Sequence, residues 1–280
     1  MRTGPDNDAV VTVNGVALHY TEWNRAAGDA TLLVHGRNTQ LHTWDPIAAE
    51  LAATRRVICV DLRGHGRSGW PLSGYALELF AADLIALLEH FGIDEVQYVG
   101  HSLGGRVGIA FAALWGGRTR HLLLSDCGPE MPAAQSDALR EMARTRPPFF
   151  DSEADALGYL RSANPRWQDA FHHSALEHQY RTNWVGKVVP RADPEVHWLY
   201  DDSVDERPYL WECWARVSAP ITLLWGTESG FLDNGLVSRM LDKQPAMAVH
   251  RPNGSHWYLR ESPQEFLRFA QAALTPRAPA

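Results

Sequence analysis

Short apolar runs that alternate with helical segments are the feature that most limits how this chain can fold. Strand-like runs occupy residues 31–34, 57–60, 96–99, 122–125, 221–225 and 247–249. Segments with apolar residues at helical spacing lie at residues 47–51, 77–91, 107–114, 236–241 and 263–274. Such alternation is typical of a mostly parallel sheet that helices cover on both faces. The pattern therefore predicts an α/β fold.

A hairpin is expected at the start of the chain. Residues 10–13 and 16–20 flank Asn14 and Gly15, the dipeptide that suits a two-residue turn between antiparallel strands.

The alternation stops between Cys127 and about Pro208. This interval has many prolines, short helical pieces such as residues 136–143 and no strand-like run. A structureless loop of this length is improbable in a compact domain, so we expect a helical cap inserted over the sheet. The predicted organisation is a core from residues 1–128 and 209–280 with a cap at residues 129–208.

Composition narrows the classes of partner. The chain has 280 residues, 45% of them hydrophobic, which is enough for one sizeable core with an inserted subdomain. Its net charge of −7 and scattered arginines argue against nucleic acid as a partner. No apolar run approaches the roughly 20 residues that cross a bilayer, and residues 1–8 carry no signal core. We expect a soluble cytoplasmic protein without a membrane partner.

The sequence predicts neither a disulfide framework nor a cofactor. The chain has three cysteines, Cys59, Cys127 and Cys213, and they lie far apart. Three histidines of the expected cap, His172, His173 and His178, lack carboxylates at metal-ligand spacing. Calcium, nucleotide and flavin motifs are absent. We therefore expect free thiols, no metal and no cofactor.

The sequence GHSLG at residues 100–104 follows one strand-like run and precedes a helical segment. Gly100 and Gly104 permit a sharp strand-to-helix turn, which strains the backbone of Ser102 and lifts its hydroxyl clear of the sheet. The first amides of the helix face the same point and suit an oxyanion. The motif predicts that Ser102 is a nucleophile, although a small-residue turn without chemistry is the alternative.

Other candidate groups follow further strands, where ligands bind in parallel sheets. Gly36 permits a turn back toward Ser102, so the amides of Arg37 and Leu103 are the predicted oxyanion hole. Asn38 is a further candidate for substrate binding. An ordinary glycine turn is the alternative interpretation of this segment.

His256 is the best candidate base among thirteen histidines. It follows the last strand-like run in the sequence GSHW at residues 254–257, on a loop that carries a glycine. From there it can accept the proton of Ser102 and return it to the leaving group. A nucleophile early in the chain and a histidine last is the order expected of this arrangement.

Taken together, these motifs resemble those of α/β-hydrolase-fold enzymes. They comprise residues 35–36, 61–68, 100–105, 225–226 and 254–257, in that order. The resemblance covers nearly the whole chain. It implies a serine hydrolase that cleaves a carboxylic ester or lactone through an acyl-enzyme, because relatives with dehalogenase or epoxide hydrolase activity have an aspartate in place of Ser102.

The acid of the triad departs from the family pattern. The family usually has it three or four residues after the glycine that ends the seventh strand, and here Ser229 and Gly230 occupy those positions. Asp126 is the first candidate, because some members, including fungal zearalenone-lactone hydrolases, supply the acid after the sixth strand. Glu228 is the second. Asp126 can also have a purely structural role, and we expect Asp233 to cap the following helix.

Two other functions stay open at this point. The same fold carries carbon–carbon bond hydrolases, lyases and cyclases of secondary metabolism, and it also carries non-catalytic ligand-binding homologues. Aromatic residues are dense in the cap and its hinge, which suits an apolar or aromatic small-molecule substrate but also suits simple packing. They include Phe149, Phe150, Tyr159, Trp167, Phe171, Tyr180, Trp184, Trp198, Tyr200, Tyr209, Trp211 and Trp214. The sequence leaves the oligomeric state open.

Overall fold

The computed structural model describes residues 4–72, 74–198 and 207–274. Within them, eight strands form one sheet in the order β1-β2-β4-β3-β5-β6-β9-β10, and β7 pairs with β8 separately. The strands are β1 Asn7–Val13, β2 Val16–Trp23, β3 Ala30–Val34, β4 Arg56–Val60, β5 Val96–His101, β6 Thr119–Ser125, β7 Tyr180–Thr182, β8 Val188–Pro190, β9 Ile221–Leu224 and β10 Ala248–His250. Strand β2 pairs antiparallel with β1 and β4, and the remaining pairs of the large sheet are parallel.

Helices cover both faces of the sheet. They are α1 Asp45–Leu51, α2 Leu77–His90, α3 Leu103–Leu114, α4 Ala133–Thr145, α5 Glu153–Ala163, α6 Asp169–Gln179, α7 Arg207–Arg216, α8 Asn234–Lys243, α9 Tyr258–Glu261 and α10 Pro263–Ala273. The α/β fold that the alternation predicts is confirmed.

Neighbouring residues of a central strand enter opposite cores, because side chains alternate across a sheet. Leu32 and Val34 belong to the core on one face, with residues of α2, α3, α7 and α8, whereas Leu33 belongs to the core on the other face, with residues of α1 and α10. All three are fully buried. This explains why the central strands have unbroken apolar runs.

The first hairpin forms where its dipeptide predicts. Val13 pairs with Val16, and the two residues between them have positive φ, 50° at Asn14 and 76° at Gly15. Both values are those of the type I′ turn, whose twist matches that of the strands.

The interval expected to be helical between β6 and β9 contains α4, α5 and α6, and also the short hairpin of β7 and β8. The expectation of no strand there is wrong, because three-residue strands that end at Pro190 are too short to form a periodic pattern. A separate apolar cluster around Phe150, Leu160 and Phe171 packs α5 and α6 with this hairpin. The cap boundaries at residues 129 and 208 stay a prediction, and residues 199–206 lie outside the described part.

The structure also bears on the cysteines and on membrane-spanning segments. The three cysteines are free and buried. No helix among the described residues is long and apolar enough to span a bilayer.

Candidate active site

Ser102 lies at the sharp turn between β5 and α3. Its φ of 53° and ψ of −116° are strained for a residue with a side chain. A Cβ on Gly100 would lie 2.4 Å from the carbonyl oxygen of Gly104, and one on Gly104 would lie 2.3 Å from that of Val34. Only glycine fits at these two positions, so the turn holds Ser102 above the edge of the sheet.

A cavity of about 420 Å³ brings most of the predicted site residues together. Ser102, His256, Arg37 and Asn38 all line it. Leu103 follows directly as the first residue of α3, where backbone amides have no acceptor within the helix. The positive end of this helix therefore lies next to Ser102, the candidate nucleophile.

His256 is bound to a buried carboxylate. Its Nδ1 lies 2.6 Å from Oδ2 of Asp126, which is fully buried. Nδ1 donates this hydrogen bond, so the proton of the neutral ring is on Nδ1 and Nε2 can accept another proton. The ring of Phe231 stacks on the imidazole with centroids 3.6 Å apart and fixes its plane.

The carboxylate of Asp126 has further hydrogen-bond donors. The Gly226 amide donates to Oδ1 at 3.0 Å, and the Ser229 hydroxyl donates to Oδ2. Ser229 stands where the family pattern places the acid, and here it supports a carboxylate that another strand supplies. Burial of a carboxylate is unfavourable unless it is hydrogen-bonded, and these contacts meet that condition.

The other candidate acids lie elsewhere. The exposed carboxylate of Glu228 pairs with Arg166 at 2.5 Å, and Arg166 also binds Glu261 at 2.9 Å. The structure thus places Glu228 in a surface ion pair and not against His256. Asp233 accepts the amide of Leu236 at 2.7 Å as the N-cap of α8, which confirms its expected role.

Two buried neutral histidines support these loops. His101 Nε2 donates to the carbonyl oxygen of His256 at 2.9 Å, and burial lowers the pKa of His101 well below its ordinary value. His35 Nε2 accepts the amide of Leu62 at 3.0 Å, and burial also lowers the pKa of His35. Sequence reasoning missed the role of His101, because its partner lies 155 positions away.

The cap histidines are engaged in local contacts. His172 Nε2 donates to the carbonyl oxygen of Asn164 at 3.0 Å, and His173 is exposed beside Asp169. His178 stacks on His42 with ring centroids 3.8 Å apart.

One group outside the cavity has the side chains of a metal site. Potential ligand atoms of Asp8, His19 and His42 lie within 4.8 Å of one another. Arg67 Nη1, however, lies 2.9 Å from Oδ1 of Asp8 and 3.1 Å from Nε2 of His19. Its positive charge occupies the space that a cation needs, so we assign no metal to this cluster.

The aromatic residues of the expected cap and its hinge lie in different parts of the structure. Tyr159, Trp167 and Tyr180 line the cavity. Trp214 is fully buried in the core, and Trp184 is 95% exposed. The side chain of Trp198 and all of Tyr200 lie outside the described residues. Sequence reasoning also missed two cavity residues, Phe231 and Arg146, because nothing in their local sequence marks them.

Comparison with known proteins places this architecture in a family. The model of the alpha/beta hydrolase fold matches residues 30–263. The 3-hydroxybutyrate-oligomer hydrolase of Cupriavidus necator is 24% identical over 298 aligned positions, which cover 99% of this chain and 98% of that protein. Esterase Rv0045c of Mycobacterium tuberculosis is 29% identical over 237 positions, which cover 80% of this chain and 74% of that esterase.

Solved structures agree on the fold. The crystal structure of E-2-(acetamidomethylene)succinate hydrolase superposes with a TM-score of 0.87 at 22% sequence identity, covering 95% of this chain and 98% of that one. The family model spans most of the chain and includes the strand-turn-helix unit around Ser102. The protein therefore belongs to the alpha/beta hydrolase fold family and is a hydrolytic enzyme.

Proposed function

We propose that the protein hydrolyses a carboxylic ester or lactone through an acyl-enzyme, with Ser102, His256 and Asp126 as its triad. The observation that carries this proposal is the 2.6 Å contact between Asp126 and His256 at the cavity that Ser102 lines. The esterase and the oligomer hydrolase named above support an ester-type substrate.

The reaction begins with attack of Ser102 Oγ on the substrate carbonyl carbon, while Nε2 of His256 takes the hydroxyl proton. The amides of Leu103 and Arg37 stabilise the resulting oxyanion. Collapse of the tetrahedral intermediate breaks the ester bond, and the alcohol leaves with the proton from His256. A water molecule then attacks the acyl carbon, gives its proton to His256 and releases the acid with Ser102 restored.

Asp126 has a supporting role in both steps. Its carboxylate holds the ring of His256 in one orientation and stabilises the imidazolium that forms when the ring takes a proton. Glu228 is not the triad acid in this proposal, because its carboxylate is engaged by Arg166.

We also propose that residues 129–208 form a cap over the substrate. The cavity wall combines core residues such as Ser102 and His256 with residues of this interval such as Leu139, Tyr159 and Trp167. Substrate selection then belongs to the cap, and bond cleavage belongs to the core.

The decisive experiment is covalent labelling with a fluorophosphonate, followed by the mass of the intact protein. We expect one adduct on the wild type, none on Ser102→Ala, slow labelling of Asp126→Asn and nearly normal labelling of the matched variant Glu228→Gln. An activated aryl ester should give a burst of phenol from the wild type and from Glu228→Gln, and none from Ser102→Ala. Ester turnover that survives in Ser102→Ala would overturn the covalent mechanism, and an unlabelled wild type would favour a lyase or a binding protein.

A further inference from the structure

An arginine on the wall of the active-site cavity has no carboxylate partner in the described part of the chain. Arg146 follows α4 directly and lines the same cavity as Ser102 and His256. Its Nη2 donates to the hydroxyl of Tyr180 at 3.3 Å, and its guanidinium carbon lies 5.9 Å from the centroid of that ring. Among the described residues, no carboxylate lies within ion-pair distance of Arg146. The hydroxyl of Tyr180 is thus the hydrogen-bond partner of this half-buried guanidinium.

A second arginine of the cavity shows the contrast. Arg166 binds two carboxylates, Glu228 at 2.5 Å and Glu261 at 2.9 Å. Glu261 is the only acidic residue among the described residues that line the cavity, and it also accepts the Ser255 hydroxyl at 2.6 Å. Arg166 thus neutralises the carboxylate of Glu261 on the cavity wall. The guanidinium of Arg146 can therefore pair with a charged group of a ligand.

Neutral donors without acceptors line the same cavity. Gln179 directly precedes Tyr180, is 7% exposed, and its amide nitrogen has no hydrogen-bond partner in the described part of the chain. The indole nitrogen of Trp167, which is 8% exposed, also lacks one. Buried donors without acceptors are unfavourable. Both nitrogens are themselves shielded from the cavity, so a ligand can accept from them only after a side chain moves.

We propose that Arg146 binds a carboxylate of the substrate in this cavity, whose wall also contains Gln179 and Trp167. This inference rests on the proposed function and names its substrate class, an ester or lactone that also carries a free carboxylate. A guanidinium binds a carboxylate through two parallel hydrogen bonds, which fixes the orientation of the substrate as well as its affinity. The net charge of −7 repels anions in general, so this recognition is local to the cavity.

The test compares substrates that differ only in that charge. One pair is the 4-nitrophenyl monoester of glutaric acid and its methyl-capped counterpart, with the charge on the acyl side. The other pair is 4-acetoxybenzoate and its methyl ester, with the charge on the alcohol side. For at least one pair, we expect the wild type to favour the charged member by about tenfold or more in kcat/KM, mainly through a lower KM. Above pH 6 these carboxylates are ionised.

The preference should depend on Arg146. We expect the ratio of kcat/KM values between charged and neutral partners to fall toward one in Arg146→Gln and to be partly retained in Arg146→Lys. Because the ratio is taken within one preparation, it is independent of the amount of folded protein. Arg144 is exposed and lies two residues before Arg146, in the last turn of α4. Arg144→Gln is therefore the matched control and should keep the wild-type ratio. Added salt should weaken the preference.

Two outcomes overturn the inference while ester hydrolysis itself stands. They are equal use of charged and neutral partners by the wild type in both pairs, and an unchanged ratio in Arg146→Gln.

Binding to Ser102→Ala tests the subsite without turnover. The 4-nitroanilides of glutarate and of its methyl ester are the probes, and calorimetry is the measurement. We expect tighter binding of the charged anilide, lost in Ser102→Ala/Arg146→Gln. Equal binding of both anilides to Ser102→Ala overturns the carboxylate subsite, even if the enzyme fails to cleave esters.

Discussion

At the scale of single residues, the proposed triad acid is the most informative departure from the family pattern. Asp126 follows β6 with a φ of 55°, and its carboxylate meets His256 from there. Ser229 donates to the same oxygen, Oδ2, that contacts the imidazole. A carboxylate at position 229 would therefore enter the same space from the neighbouring loop.

We predict that the acid can be moved back to that loop. Asp126→Asn should lower kcat/KM for an activated ester by about 10³–10⁴-fold, because His256 loses the carboxylate that orients and stabilises it. Ser229→Asp in the Asp126→Asn background should recover at least about tenfold of that loss, measured by steady-state kinetics. Glu228→Gln in the same assay is the control and should stay within about threefold of the wild type.

Failure of the double variant to exceed Asp126→Asn would show that position 229 does not reach the imidazole. A large loss in Glu228→Gln would contradict the assignment of the acid itself.

At the scale of elements, the turn between β5 and α3 depends on close backbone approach. A Cβ on Gly104 would lie 2.3 Å from the carbonyl oxygen of Val34, so α3 could accept a methyl group only by moving away from β3. That movement would also displace the amide of Leu103, which begins the helix.

We predict that Gly104→Ala lowers the free energy of unfolding by about 1–3 kcal/mol, the usual cost of overpacking. It should also reduce kcat, because the oxyanion donor shifts. Gly158→Ala is the matched control, because Gly158 lies in α5 and a Cβ there meets nothing within 4 Å. This control should gain about 0.4–1 kcal/mol. Urea unfolding gives the free energy of unfolding of both variants. Equal values for Gly104→Ala and Gly158→Ala would contradict the steric argument.

At the scale of the whole molecule, acid pH should destabilise the fold. Burial lowers the pKa values of His35 and His101, so both rings stay neutral in the folded state. In the unfolded chain they take a proton near pH 6.5. Below that pH the unfolded state binds more protons, so the free energy of unfolding falls as the pH falls, by at most about 1.4 kcal/mol per pH unit for each ring.

The contribution of one ring can be isolated. His101→Gln keeps an amide donor for the carbonyl of His256 but cannot titrate, so we predict a shallower loss of stability between pH 6.5 and 5 than in the wild type. Urea unfolding at half-unit pH steps gives the two curves. Parallel curves would mean that His101 does not contribute to the pH dependence.

Local sequence patterns were sufficient to predict the elements that form from residues close together in the chain. The apolar runs predicted the central strands, the Asn14-Gly15 turn predicted the first hairpin, and the glycines around Ser102 predicted the strained turn. The hairpin of β7 and β8 escaped prediction, because strands of three residues carry almost no periodic signal.

Residue types and local periodicity were enough for the sequence to predict the α/β fold and to name Ser102 and His256 as the candidate nucleophile and base. Only the tertiary structure decided which carboxylate meets His256, because the sequence offered Asp126 first and Glu228 second, and 130 positions separate Asp126 from that ring. It also decided that Arg146 lines the cavity with no carboxylate of the described residues within ion-pair distance. Such contacts depend on how distant loops meet at one edge of the sheet, and no local pattern encodes that meeting.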